Sequence, residues 1–112
     1  MASAEPPSAL IVIVTAPSEE VAARLARGLV EARLAACVNI LPGLTSVYRW
    51  EGAVESAAEH LLLIKCAAAA YDAVEAWVVA HHPYELPECV ALPIVAASSP
   101  YLAWLLGEEP GA

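Results

Sequence analysis

The chain has 112 residues, 60% of them apolar, and its thirteen acidic against five basic residues give a formal charge of −8. That length suits one domain of the usual ~100–150 residues. The negative balance excludes nucleic acid and anionic membrane as partners, because both are gripped by positive surface. No run approaches the ~20 apolar residues that cross a bilayer. Met1–Pro7 has no basic stretch of the kind that opens a secretory leader, so the expected location is the cytoplasm. Residues 1–8 and 108–112 read as disordered tails around a domain spanning 9–107.

Leu10–Thr15 is a short, β-branched apolar run stopped by Ala16-Pro17, and it reads as a strand. It does not alternate, so both of its faces should be covered. Ser18 is a fitting N-cap, followed by Glu19 and Glu20 in the first turn of a helix expected to reach about Leu34. Glu20 and Arg24 stand at the i,i+4 spacing of an ion pair, and Arg33 falls in the last turn. Gly28 inside this helix implies close packing, expected here against the sheet. Cys37–Trp50 reads as a strand broken by a bulge at Pro42-Gly43. Glu51-Gly52 is a turn signal, and Val54–Cys66 is the returning strand. Ala67–Ala80 reads as a second helix with Val74, Trp77 and Val78 on one face. Cys89–Ala96 is a last strand, its Pro93 indicating an edge. Ser98 or Ser99 with Pro100 starts a short final helix.

The order β-α-β-β-α-β is the split βαβ, ferredoxin-like arrangement, an α+β fold with a long central β-hairpin and a short C-terminal helix. Two helices would cover one face of its four-stranded antiparallel sheet and leave the other bare. The hairpin is also too long for its domain. Fourteen extended residues span about 46 Å at ~3.3 Å each, while a globule of this size is only about 34 Å across. Bare sheet, projecting hairpin and apolar residues such as Tyr48 and Trp50 near its tip together predict a homo-oligomer, with these two side chains in the interface.

His81-His82-Pro83-Tyr84-Glu85-Leu86-Pro87-Glu88 gathers two imidazoles, a phenol and two carboxylates in a loop stiffened by two prolines. An imidazole and a carboxylate suit Zn(II), Cu(II) or Ni(II). A structural reading of the same residues has the histidines meeting the last helical carbonyls and Glu88 pairing with Lys65 or an arginine. Lys65 and Arg49, with Tyr84, Tyr101 and Trp104, form a second candidate: a cleft for an anionic ligand, or else interface packing. His60, between Glu59 and Leu61, has no identifiable partner and reads as a solvated or interface residue. Cys37, Cys66 and Cys89 are odd in number and lack C-x-x-C spacing, which favours buried thiols over disulfides or a thiolate zinc site. No nucleophile motif, glycine-rich phosphate loop or H-E-x-x-H run is present, so no enzymatic activity and no organic cofactor are expected.

Thr15-Ala16-Pro17, Leu34–Asn39, Pro42-Gly43, Tyr48-x-Trp50-x-Gly52, His82-Pro83-Tyr84-x-x-Pro87-Glu88, Leu92-Pro93 and Tyr101-Leu102-x-Trp104-Leu105 stand in one register from Leu10 to Leu106. Together they resemble the CutA family of divalent-cation tolerance proteins. The resemblance implies a cytoplasmic homotrimer of ferredoxin-like subunits that binds divalent metal ions of the copper or zinc class. It also implies a ligand set of His81, Glu88 and a cysteine whose position is occupied here by Val14. The trimeric PII-type signalling proteins have a similar fold, which implies the alternative of a regulator binding a small anion or a partner protein between subunits.

Overall fold

A computed structural model describes residues 5–108, so the outermost parts of the two expected tails, 1–4 and 109–112, lie outside the described residues. The elements run β1 (Ala9–Ala16), α1 (Glu19–Glu31), β2 (Cys37–Trp50), β3 (Ala53–Ala67), a 3-10 turn (Ala68–Ala70), α2 (Tyr71–His81), β4 (Val90–Pro93) and α3 (Ser99–Leu105). All strand pairs are antiparallel in the order β2-β3-β1-β4, the ferredoxin-like topology expected.

Register divides the sheet into two unlike faces. Val12 and Val14 lie opposite Ile64 and Leu62, and these side chains are fully buried. They face Leu25 and Leu29 of α1 and Val74 and Val78 of α2, all equally buried. Burying each such side chain is worth roughly 1.5–3 kcal/mol. The alternate residues Ile11, Ile13, Leu61 and Leu63 point to the other face and stay half-exposed. α3 packs over one end of that open face, where Tyr101 meets Cys37 and Cys37 lies opposite Lys65. The chain therefore has apolar residues on both faces of β1, but covers only one of them fully.

Several local expectations hold to the atom. The Ser18 side chain accepts a hydrogen bond from the Val21 amide at 3.2 Å. The register slips between Leu41 and Leu44, where Gly43 takes φ +81°. Glu51 and Gly52 both have positive φ, +51° and +84°, as a tight hairpin turn of matching twist demands.

Other expectations change. α1 stops at Glu31, three residues before Leu34, because Arg33 adopts φ +61° and the Leu34 amide turns back to the Leu29 carbonyl at 3.0 Å. This is a Schellman termination with arginine in the usual glycine position, so Arg33 lies beyond the last turn. Arg24 leaves Glu20 and donates across the helix layer to the His81 carbonyl at 3.3 Å. Gly28 faces α2 and not the sheet: a Cβ there would stand 2.5 Å from Cζ2 of Trp77. β4 pairs with β1 only over Val90–Pro93, half the predicted length.

The hairpin does project. The radius of gyration, 15.2 Å, exceeds the ~13 Å of a compact chain this long. Near its tip Val47 and Val54 are 70% and 67% exposed, and Tyr48 and Trp50 are about two-fifths exposed.

Candidate functional site

Where β1 ends, the uncovered end of the open face meets the hairpin and the loop that leads into β4. Together they enclose a cavity of about 650 Å³. Thr15 forms its floor, Ser46–Trp50 and Glu55 come from the hairpin, and Glu59, Tyr84, Glu85, Leu86 and Glu88 close the rest. Glu59 is the deepest charge, only 6% exposed. Its Oε2 accepts from the Tyr84 hydroxyl at 2.6 Å, the length of a charge-assisted bond. Burial and the Glu59 carboxylate push the Tyr84 phenol well above its ordinary pKa, with Tyr48 adding to the effect. Four glutamates thus surround this space against one guanidinium, that of Arg49.

The loop is held in place by His82. Its Nε2–H donates to the Thr15 carbonyl at 2.7 Å, and its Nδ1 accepts from the Tyr84 amide at 3.1 Å. A carbonyl only accepts and an amide only donates, so the neutral Nε2–H tautomer follows. Both ring nitrogens are committed. His82 is 8% exposed and fixes Tyr84 at the cavity wall; it has no lone pair free for a metal.

His81 lies in the helix layer. Its ring stacks on Trp77, with centroids 3.9 Å apart, and its Nδ1–H donates to the Trp77 carbonyl at 2.7 Å. Nε2 remains free. Glu88 lines the cavity and lies on the surface, whereas Val14 is fully buried in the core and has no donor atom. Among the described residues no group of three or more His, Cys, Asp or Glu side chains could hold a metal ion. The residues implied as ligands therefore do not assemble a metal site within one chain. Cys89 packs against the core, facing away from Glu88, and burial raises its pKa.

The anion-cleft candidates separate. Arg49 and Tyr84 line the cavity. Lys65 bonds Asn39 Oδ1 at the α3 end of the sheet. Trp104 packs beside Tyr101, ring centroids 5.6 Å apart, on α3 itself. Neither Lys65 nor any arginine pairs with Glu88; the ion pair among the described residues is Arg27–Glu31, at 3.8 Å on the exposed side of α1. His60 keeps a buried Nδ1 with no hydrogen-bond partner.

Thr15, Ser46, Val47, Glu55 and Glu59 line the cavity without having been given a site role from the sequence. One signal was present: Glu55 and Glu59 are four apart on a strand, which puts both carboxylates on one face. Nothing local indicated that Tyr84, twenty-five residues on, would meet Glu59.

With this geometry in view, comparison with known proteins is specific. A family model described as CutA1 divalent ion tolerance protein matches residues 10–108. The divalent-cation tolerance protein CutA of Thermus thermophilus is 55% identical over 95 residues, covering 85% of this chain and 92% of that protein. A solved structure of a divalent cation tolerance protein (Cut A1), also from Thermus thermophilus, superposes with a TM-score of 0.87 at 52% identity. The match covers 89% of this chain and 97% of that one. The chloroplastic CutA protein of Arabidopsis thaliana is 47% identical over 86% of this chain, which spans about half (53%) of that longer protein.

Proposed function

Because the chain belongs to the CutA1 divalent ion tolerance protein family, we propose that it acts as a homotrimer taking up divalent metal ions of the copper or zinc class. The family is one of divalent-cation tolerance proteins, not enzymes. The metal is cargo, and its donors are Glu88 and the free Nε2 of His81, supplied by different subunits. The single observation behind this reading is the surplus of carboxylate around the cavity beside Glu88, where Arg49 is the lone cation. Such a surface concentrates cations and repels anions, which favours the metal reading over an anion-binding, PII-like regulator. The exposed Val47, Tyr48, Trp50 and Val54 of the hairpin supply apolar surface for the assembly. A cytoplasmic location belongs to the same proposal, and fractionation of the producing cells tests it.

Titration calorimetry with Cu(II) and Zn(II) tests the site. Saturable binding is expected, falling at least about tenfold (some 1.4 kcal/mol) in His81→Ala and again in Glu88→Ala. Parent-like binding by both variants would remove these residues from the metal site.

A further inference from the structure

We propose that Trp77 is a positioning residue for metal uptake: it holds the His81 ring in the tautomer and orientation in which Nε2 is a ready donor. The proposal rests on the reading of His81 as a metal ligand and adds the residue that prepares it. The indole and the imidazole stack with centroids 3.9 Å apart and planes 18° from parallel. The carbonyl of the same tryptophan lies 2.7 Å from His81 Nδ1. A carbonyl only accepts, so the proton sits on Nδ1 and the lone pair on Nε2. Trp77 thus restrains the ring's rotation through its side chain and its tautomer through its backbone. A ligand histidine bonded in this way through its second nitrogen is oriented before the metal arrives.

Helix α1 places Trp77 in turn. Arg24 and Gly28 are four residues apart, on one face of α1. Gly28 leaves room for the indole, since a Cβ there would stand 2.5 Å and 2.6 Å from Cζ2 and Cη2 of its ring. Arg24 Nη1 donates to the His81 carbonyl at 3.3 Å and ties the last turn of α2 to α1. These residues belong to the helix layer, apart from the hairpin and the open face of the sheet. Packing between the helices needs only an apolar side chain at position 77. A near-parallel aromatic stack acts on the imidazole itself. His82 cannot take over as donor, because both of its ring nitrogens are committed. The carbonyls at the C-terminal end of α2 also favour a cation beside His81.

Calorimetric titration of the intact protein with Cu(II) tests the proposal. Trp77→Leu should weaken binding about two- to tenfold, because the freed imidazole must then be immobilised by the metal. Trp77→Phe, which keeps an aromatic face for the stack, should recover most of that loss. A spectroscopic readout locates the metal. Trp50 and Trp104 are the other two tryptophans, and replacing both with Phe leaves Trp77 as the sole indole. Its emission should fall in step with Cu(II) occupancy, and His81→Ala should abolish that quenching. Parent-like Cu(II) affinity in Trp77→Leu, alongside a loss in His81→Ala, would overturn the positioning role and leave the metal reading standing. Equal losses in the Leu and Phe variants would also overturn it, since they would show that the stack contributes nothing. Unchanged Cu(II) affinity in His81→Ala would overturn both readings together.

Discussion

The two faces of the sheet are made from alternate residues of the same strands, yet they are finished in opposite ways. On the helix side, Val12, Val14, Leu62 and Ile64 are sealed under α1 and α2 with no exposure at all. On the open side, Ile11, Ile13, Leu61 and Leu63 stay half-exposed. The buried carboxylate of Glu59, with Tyr84 and Thr15, sits there beneath a hairpin that leaves the globule. The helix side holds the subunit together. The open side carries the apolar and acidic surface that a single chain leaves uncovered.

The sharpest way to break this division is to delete the same kind of group on each side. Leu62→Ala should cost about 2–5 kcal/mol in denaturant unfolding, through lost burial and a residual cavity. Ile13→Ala should cost appreciably less in a dissociated subunit, so its cost should grow with protein concentration as copies cover the face. Equal, concentration-independent losses would mean that the open face is already a finished core.

A smaller effect sharpens the helix side. Gly28→Ala gains up to about 1 kcal/mol of helix propensity, but forces the Trp77 ring away from α1, an overpacking cost of about 1–3 kcal/mol. A net loss of about 1 kcal/mol is expected, with a change in Trp77 fluorescence. A stabilised variant would show that Trp77 moves freely.

An effect absent near neutrality belongs to the open side and depends on pH. The Tyr84 phenol has a raised pKa in the folded chain, so the unfolded chain loses its proton first as pH rises. This contribution is therefore complete below the ordinary tyrosine range near 10. It is lost above that at up to about 1.4 kcal/mol per pH unit. Tyr84→Phe should flatten that alkaline decline and leave the curve near neutrality parallel to the parent. An unchanged decline would place its origin at Tyr71, whose phenol is pushed up to about 12 by burial and by neighbouring Cys89 and Glu75.

Features written in short stretches of chain were legible in the sequence. The cap at Ser18, the bulge at Gly43, the turn at Glu51-Gly52 and the edge position of the strand containing Pro93 each depend on a few neighbouring residues. So did the strand order, since the succession of elements admits few topologies. Contacts between distant residues were not legible. Arg24 abandons its helical neighbour for the His81 carbonyl, and Gly28 serves Trp77 across the helix pair. The metal candidates show the same limit. His81 and Glu88 flank one short loop, but that loop delivers one to the helix layer and the other to the cavity, while Val14 fills the core. The prolines and His82 fix the turn; the chemistry belongs to the faces on either side of it.

If the open face is completed by further copies of the chain, mass is the most direct measure. Light scattering behind size exclusion should give three times the 11.7 kDa of one chain for the parent. Replacing both Tyr48 and Trp50 by Ser at the exposed hairpin should shift it towards a lower mass. A parent protein at 11.7 kDa over the working concentration range would contradict the account.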